Sequence, residues 1–345
     1  MRKNLEKKLI SLARHWLGDK SRKYVIVTHT NPDGDAIGSS LGLYATLTAA
    51  GFSHLDVIIP NPYPAFLSWM PHADKLLLAS EHPDLAGELI RGADVVFCLD
   101  FNGLSRAEGL EEALSGTRAT KILVDHHPQP EESFELLISQ PGASSTAEMV
   151  FELLEATGLL PYLDRAAAEC LYAGIVTDTG SFSYSCNNPR TYEITARLMS
   201  LGVDGERIQR LIYNTYSVDR MRLLGYCLSE KLVVIRRCQA AYISLSLDDL
   251  KRFNHQPGDT EGVVNYALAM KNISLAALFT EYEDHVKASF RSSGPVDVNR
   301  LARKHYHGGG HRNAAGGKSF LPLHNTLKAF EQLIHSDDFR VETDE

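Results

Sequence analysis

The 345 residues leave room for about two domains, and a hydrophobic content of 44% is enough for each to bury a core of its own. With 35 basic against 43 acidic residues the formal charge is -8, which speaks against a general binder of duplex nucleic acid, whose footprint is basic. Five cysteines, odd in number, widely spaced and without a CxxC pair, indicate neither a disulfide framework nor a thiolate zinc site and fit a reducing, cytoplasmic compartment.

The N-terminus, MRKNLEKKLISLARHW, places Leu5, Leu9, Leu12 and Trp16 on one helical face, as in a docking helix. It lacks the continuous apolar core of a signal peptide, and no later segment has the uninterrupted apolar length of a membrane span, so no membrane partner is expected. Residues 24–27 are an apolar run that predicts a buried strand, and small and apolar residues from Ala36 onward predict a helix packed on it. The turn between them, built by Asn31-Pro32 and Gly34, carries His29, Asp33 and Asp35 at the carboxyl end of a strand, the usual ligand crevice of an α/β sheet. Taken alone, this HxxxDxD suits a divalent-cation site and suits turn formation and helix capping equally.

Residues 55–59 form a second short strand, followed by an extended loop fixed by Pro60, Pro62 and Pro64. The runs 93–99, ending in Asp100, and 121–124, ending in Asp125, His126 and His127, read as buried parallel strands. Helical patterns lie at 109–114 and 145–157, the latter opening on Ser144, Ser145 and Thr146 as cap candidates with Glu148 in its first turn. The mostly apolar run 166–176 leads to Asp178, which is expected at a fourth strand end. Asn187-Asn188-Pro189 breaks this βα alternation, and residues 191–230 read as successive helices. Beyond them, strand-like runs at 232–235, 240–247, 274–279 and 286–290 mix with helical patterns at 261–270 and 296–305 in an α+β manner. The charged tail from Ser336 is expected to fray. The expected organisation is α/β: a parallel-sheet domain over 1–190, a helical connector over 191–230 and a smaller α+β domain over 231–345, with an interdomain cleft.

Each acidic or histidine residue at a strand end has a plain reading as a turn or cap residue. Four such coincidences on one sheet edge are improbable together, which favours a joint metal site. Four carboxylates and two or three imidazoles suit two divalent ions, and the absence of thiolates favours Mn²⁺ over structural Zn²⁺. Four carboxylates would also repel a phosphate unless cations neutralised them, so the inferred chemistry is phosphoryl transfer at a dinuclear centre. A second constellation is YHGGGHRNAAGG, residues 306–317. Three successive glycines can wrap an anion as a backbone nest, with Asn313-Ala314-Ala315 expected to open a helix behind them, while His311, Arg312 and Arg291 add donors. A ligand-free glycine turn is the plain alternative for GGG, which the basic residues clustered around it make less attractive.

THTNPDGDAIGS, LDFNG, VDHHP and GIVTDTGSF stand in the order of the four motifs of the DHH phosphoesterase family, and GGGHRNAAGG resembles the signature of its associated C-terminal domain. The resemblance covers nearly the whole chain and is strongest to stand-alone members that degrade nanoRNA and dephosphorylate 3'-phosphoadenosine 5'-phosphate, some also acting on linear or cyclic di-AMP. It implies His29, Asp33 and Asp100 on one ion, and Asp35, Asp100, His126 and Asp178 on the other, with Asp100 as the bridge. It further implies His127 facing the scissile phosphate as an electrostatic or acid/base group, Asp125 orienting the imidazoles, and Arg291, His311, Gly308, Gly309 and Gly310 holding a terminal phosphate or nucleotide. The expected partners are short single-stranded RNA or DNA oligonucleotides or small nucleotides, not duplex nucleic acid, and a homodimer is left open. The competing expectations are a polyphosphate or pyrophosphate hydrolase and a catalytically silent nucleotide-binding module.

Overall fold

A computed structural model describes residues 7, 10–12 and 14–336. Leu5 and Leu9 of the expected docking helix, and residues 337–345 of the tail, lie outside these. Trp16, within them, packs on the N-terminal core, and its carbonyl accepts a 2.8 Å hydrogen bond from the Tyr24 hydroxyl. The chain divides between Thr215 and Tyr216 into two units.

The N-terminal unit is an α/β layer structure. Its six strands, β1 (Lys23–Val27), β2 (His54–Ile59), β3 (Leu76–Leu78), β4 (Val95–Leu99), β5 (Thr120–Asp125) and β6 (Leu136–Ser139), are all parallel and lie in the order β3-β2-β1-β4-β5-β6. Tyr24 and Ile26 enter the core on one face and Val25 and Val27 the core on the other, which is why the strands read as unbroken apolar runs. The strand order reverses at the β1/β4 pair, and such a reversal opens a crevice at the carboxyl ends. The short edge strands β3 and β6 have no counterpart in the sequence expectations, because three or four residues are too few to display a period.

After β1, the helices of this unit are α1 (Gly34–Ala49), α2 (Pro83–Gly92), α3 (Glu111–Gly116), α4 (Thr146–Thr157), α5 (Arg165–Asp178), α6 (Pro189–Ser200) and α7 (Gly205–Tyr213). One expectation is corrected here: the run leading to Asp178 is not a strand but α5. Three successive alanines favour a helix, and Asp164 caps it by accepting a 2.9 Å hydrogen bond from the Ala167 amide.

Glycines set how closely α1 and α5 approach. A Cβ on Gly38 would stand 2.5 Å from the Cys170 carbonyl oxygen, one on Gly42 2.5 Å from Leu171 Cδ2, and one on Gly174 2.9 Å from Asp35 Oδ1. Gly38 faces backbone, which cannot rotate aside. Gly38→Ala is therefore expected to cost about 1–3 kcal/mol as an overpacked contact, read as a lowered denaturation midpoint at unchanged m-value. An unchanged midpoint would show that the helices can separate freely.

In the C-terminal unit the strands β7 (Leu232–Ile235), β8 (Ala240–Leu245), β9 (Leu275–Glu281), β10 (Val286–Ser292), β11 (Gly309–His311) and β12 (Ala314–Ser319) form a sheet in the order β11-β12-β10-β9-β8-β7. Among the described residues only its β8/β9 pair is parallel. Its helices are α8 (Val218–Tyr226), α9 (Leu247–Arg252), α10 (Val263–Leu268), α11 (Val298–His305) and α12 (Leu323–Ile334). One face packs Tyr242, Phe279 and Phe290 against α11 and Phe330 of α12, while the other packs Ile243, Ala276 and Leu278 against α10. A second expectation is corrected: Asn313-Ala314-Ala315 does not open a helix but leads into β12. Gly316 and Gly317 weaken any helix there, and the Asn313 amide, donating to Ser292 Oγ at 2.9 Å, ties the turn before β12 to the end of β10.

Candidate metal centre

The residues singled out in the N-terminal unit converge at the β1/β4 reversal. Thr28, just past β1, donates from Oγ1 to the Leu99 carbonyl at 3.0 Å, which holds the turn beginning at His29 against the end of β4. Asp33 caps α1, its Oδ1 accepting from the Asp35 and Ala36 amides at 3.0 and 3.1 Å. Asp35 lies in the first turn of α1, Asp100 follows β4 with a left-handed φ of 66°, and His126 and His127 follow β5. Asp178 arrives as the last residue of α5.

Asp100 is the hub. Its Oδ2 lies 3.4 Å from His29 Nε2, and its Oδ1 lies 3.6 Å from His126 Nε2. Around the first imidazole, His29, Asp33 and Asp100 each bring one donor atom to within 4.8 Å of the others; around the second, Asp35, Asp100 and His126 do the same. Asp178 Oδ2 stands 3.5 Å from His126 Nε2, and Asp35 Oδ2 stands 3.8 Å from it. The sequence-derived set is therefore assembled in one place, with Asp100 common to both groups.

Tautomers follow from the backbone. His29 Nδ1 is 2.9 Å from the Thr30 carbonyl and His126 Nδ1 is 3.3 Å from the Ala143 carbonyl, so in each ring the Nδ1–H donates to backbone and Nε2 turns its lone pair toward carboxylates. Lone pairs facing carboxylates at 3.4 to 3.8 Å are mutually repulsive until a proton or a cation stands between them. The same conflict appears in the ionisation of the site. Burial, then the charges of Asp100 and Asp178, push Asp35 well above the usual carboxylate range, and burial followed by the Asp33 charge does the same to Asp100. Burial pulls the His29 imidazole down. At His126 burial opposes the charged form, but the carboxylates of Asp178 and Asp35 outweigh it and raise the imidazole. Divalent cations remove this conflict, and the oxygen and imidazole donors match the ligand preference of a hard or borderline ion.

His127 is held differently. Its Nδ1 lies 2.7 Å from Oδ1 of the fully buried Asp125, so that carboxylate fixes its ring orientation.

Two residues that matter here were read from the sequence only as the start of a helix. The N-terminus of α4 grips two carboxylates of the candidate centre: the Thr146 and Ala147 amides donate to Asp35 at 2.6 and 2.9 Å, and Thr146 Oγ1 donates to Asp100 Oδ1 at 2.9 Å. Asp35 thus sits where the helix dipole favours negative charge. Buried Glu148 anchors that turn, its Oε2 accepting from Ser144 Oγ at 2.5 Å and from Thr191 Oγ1 of α6 at 2.7 Å. The cap signature was visible in the sequence, but nothing local says which carboxylates it faces.

In the C-terminal unit the glycine-rich segment is a sheet margin. Arg291 of β10 and His311 of β11 both stand opposite Ala314 of β12, and the next same-face row is Ser289, Gly316 and Gly309. Directly paired residues share a face, so Arg291 and His311 flank a floor of one methyl and bare backbone, their Cα atoms about 10 Å apart at two strand spacings. A Cβ on Gly308 would strike the Gly316 carbonyl, and Gly310 has a φ of 146°, so both glycines permit strand contact rather than a helix-terminal nest.

The chain matches the family model described as the DHH family, N-terminal domain, over residues 23–175 and the DHHA1 domain over residues 239–336. It is 32% identical over 292 residues to the bifunctional oligoribonuclease and PAP phosphatase NrnA of Thermus thermophilus, covering 84% of this chain and 82% of that protein. To the protein of the same name from Bacillus subtilis it is 29% identical over 299 residues, covering 86% and 89%. Among solved structures, an exopolyphosphatase-related protein from Bacteroides fragilis is similar with a TM-score of 0.89 at 41% identity, covering 95% of each chain.

Proposed function

The chain belongs to the DHH family, and from that membership we propose that it is a metal-dependent phosphoesterase cleaving short nucleotide substrates to mononucleotides. NanoRNA oligonucleotides, 3'-phosphoadenosine 5'-phosphate and linear or cyclic di-AMP are the substrates in view. Relatives that cover most of its length are named as oligoribonuclease and PAP phosphatase. The observation that carries the reading is Asp100, one carboxylate whose two oxygens face two different imidazoles across gaps of 3.4 and 3.6 Å.

In this reading His29, Asp33 and Asp100 hold one divalent ion and Asp35, Asp100, His126 and Asp178 hold the other, Mn²⁺ being suited to such donors. When bound, the pair supplies charge for the phosphoryl oxygens and an acidified water as nucleophile. The chain's own residues do the rest. Thr146 and the α4 amides aim Asp35 and Asp100 through hydrogen bonds. His127, oriented by Asp125, presents its imidazole to the reacting phosphate as an electrostatic or acid/base group. Arg291 and His311 grip a terminal phosphate, with Gly308, Gly309 and Gly310 giving it close access to backbone. Among the described residues no helix is long and apolar enough to cross a membrane.

Side-by-side turnover with added Mn²⁺ tests the proposal. Dinucleotides, oligonucleotides of a few residues and 3'-phosphoadenosine 5'-phosphate are expected to be hydrolysed, pyrophosphate and tripolyphosphate poorly. A preference for pyrophosphate or polyphosphate would replace the nucleotide reading. Few cationic residues are assigned to substrate, so affinity gains little from extra phosphates; equal or better turnover per end on long strands or duplexes would refute the short-substrate preference.

A further inference from the structure

The segment after Asp178 is strained. Gly180, Ser181 and Phe182 have consecutive left-handed φ values of 53°, 58° and 62°, and Ser185 follows at 48°. A bulky residue such as Phe182 holds that conformation only where its surroundings enforce it, a pattern concentrated at functional sites. The enforcing contacts are visible: the Ser181 amide donates to the Val176 carbonyl at 2.8 Å, and the Ser183 and Tyr184 amides donate to the Thr179 carbonyl at 2.8 and 2.9 Å. The segment is folded back on the last turn of α5, the turn that carries Asp178.

The outcome of this strain is an aromatic pair. Phe182 stacks on Tyr192 of α6 with ring centroids 5.7 Å apart and planes 27° apart, and Tyr192 remains 49% exposed. Tyr192 also lines an open depression of about 620 Å³ with Cys186, Asn187, Pro189 and Glu193. The chemistry of that lining is selective. It offers a π face, an amide that both donates and accepts, and the Glu193 carboxylate, which pairs with Arg190 at 3.3 Å. A planar heterocycle with N–H donors meets a ring face, an amide and the remaining acceptor capacity of that carboxylate. Four residues from Asp178 to Phe182 span at most roughly 14 Å, so the platform belongs to the neighbourhood of the metal centre.

We propose that Tyr192, backed by Phe182, is a nucleobase-stacking site of the catalytic unit, with Asn187 and Glu193 facing the base edge. The inference rests on the nucleotide-hydrolase reading and extends it: one base of the substrate is held beside the centre by a sequence-tolerant contact, while the base edge favours an exocyclic amino group.

The test has two arms. A dinucleotide containing 2-aminopurine and a non-hydrolysable methylenephosphonate linkage, mixed with the protein in Mg²⁺ so that the carboxylates are neutralised and no turnover occurs, is expected to be quenched on stacking. Tyr192→Ala should lose the quench and weaken binding about tenfold, within the range typical of one base stacked on an aromatic ring, and Tyr192→Phe should restore both. In the turnover arm, the wild-type preference for a base-bearing over an abasic dinucleotide should be about tenfold by the same principle and should vanish in Tyr192→Ala. An unquenched probe with the wild-type protein, or equal quenching and affinity in Tyr192→Ala of native circular dichroism, overturns the base site. A wild-type protein that quenches the probe but cleaves no nucleotide would uphold the base site and overturn the activity.

Discussion

Asp100→Asn is expected to lower phosphoester hydrolysis on the order of 10³-fold or more, because outer-shell partners alone are worth roughly 10–100-fold and Asp100 is common to both ligand groups. Asparagine is the informative replacement. Asp100 has a left-handed φ of 66°, which asparagine tolerates, whereas alanine at that position adds about 1–2 kcal/mol of backbone strain. Asp100→Ala should therefore lose the same activity together with some stability. A neutral side chain also relieves the crowding of the metal-free site. Burial and then the Asp33 charge hold Asp100 well above the ordinary carboxylate range, so its contribution to stability is full below the unfolded value of about 4 and is lost as pH rises through the folded value. Asp35 acts in the same direction. Without divalent ions the wild-type melting temperature should fall as pH rises through that window, and Asp100→Asn should fall less. With Mn²⁺ the order reverses: the wild-type protein should be stabilised by mass action and the variant much less. Normal activity with two bound ions in Asp100→Asn would refute the bridging role.

Arg291→Ala and His311→Ala are expected to separate nucleotide turnover from phosphoester chemistry. Both residues belong to the C-terminal unit, where they flank the bare floor formed by Ala314, Gly316 and Gly309. Charge-assisted hydrogen bonds to a phosphate are worth about 1.5–3 kcal/mol, so each loss should lower kcat/KM for nucleotides by roughly 10–150-fold, part of it in kcat if binding energy aligns the reacting phosphate. Hydrolysis of bis-p-nitrophenyl phosphate, which has no terminal phosphate to grip, should fall far less, and Mn²⁺ binding should be intact. Arg291→Lys should recover only part, since lysine cannot reproduce the two-pronged geometry of guanidinium. Parallel losses on both substrates, or none on nucleotides, would remove Arg291 and His311 from substrate binding.

Much of this was legible before the fold. Continuous apolar runs ending in His29, Asp100 and His126 betrayed parallel strands because such strands are buried on both faces and end where polar groups return to solvent. The edge strands β3 and β6 escaped notice because a period needs more residues than they have. Asn313-Ala314-Ala315 leads into a strand and not the expected helix because the adjacent glycines permit a turn, a nest or close strand contact, and only the neighbouring strands β10 and β11 choose among them.

The sequence by itself determined the donor types, their order and their attachment to strand ends, since these follow from local composition and from the side-chain periodicity of buried strands. Tertiary structure alone decided the rest. Asp178 joins the centre from a helix, and it can do so because Gly38, Gly42 and Gly174 let α1 and α5 approach to a distance any side chain would forbid. Asp35 and Asp100 are held by Thr146, more than 40 residues from either in the chain. Arg291 and His311 share a floor because β12 runs between their strands. Each of these depends on which surfaces meet across long stretches of chain, and that is settled by shape complementarity in the packed state, which no local pattern of residues records.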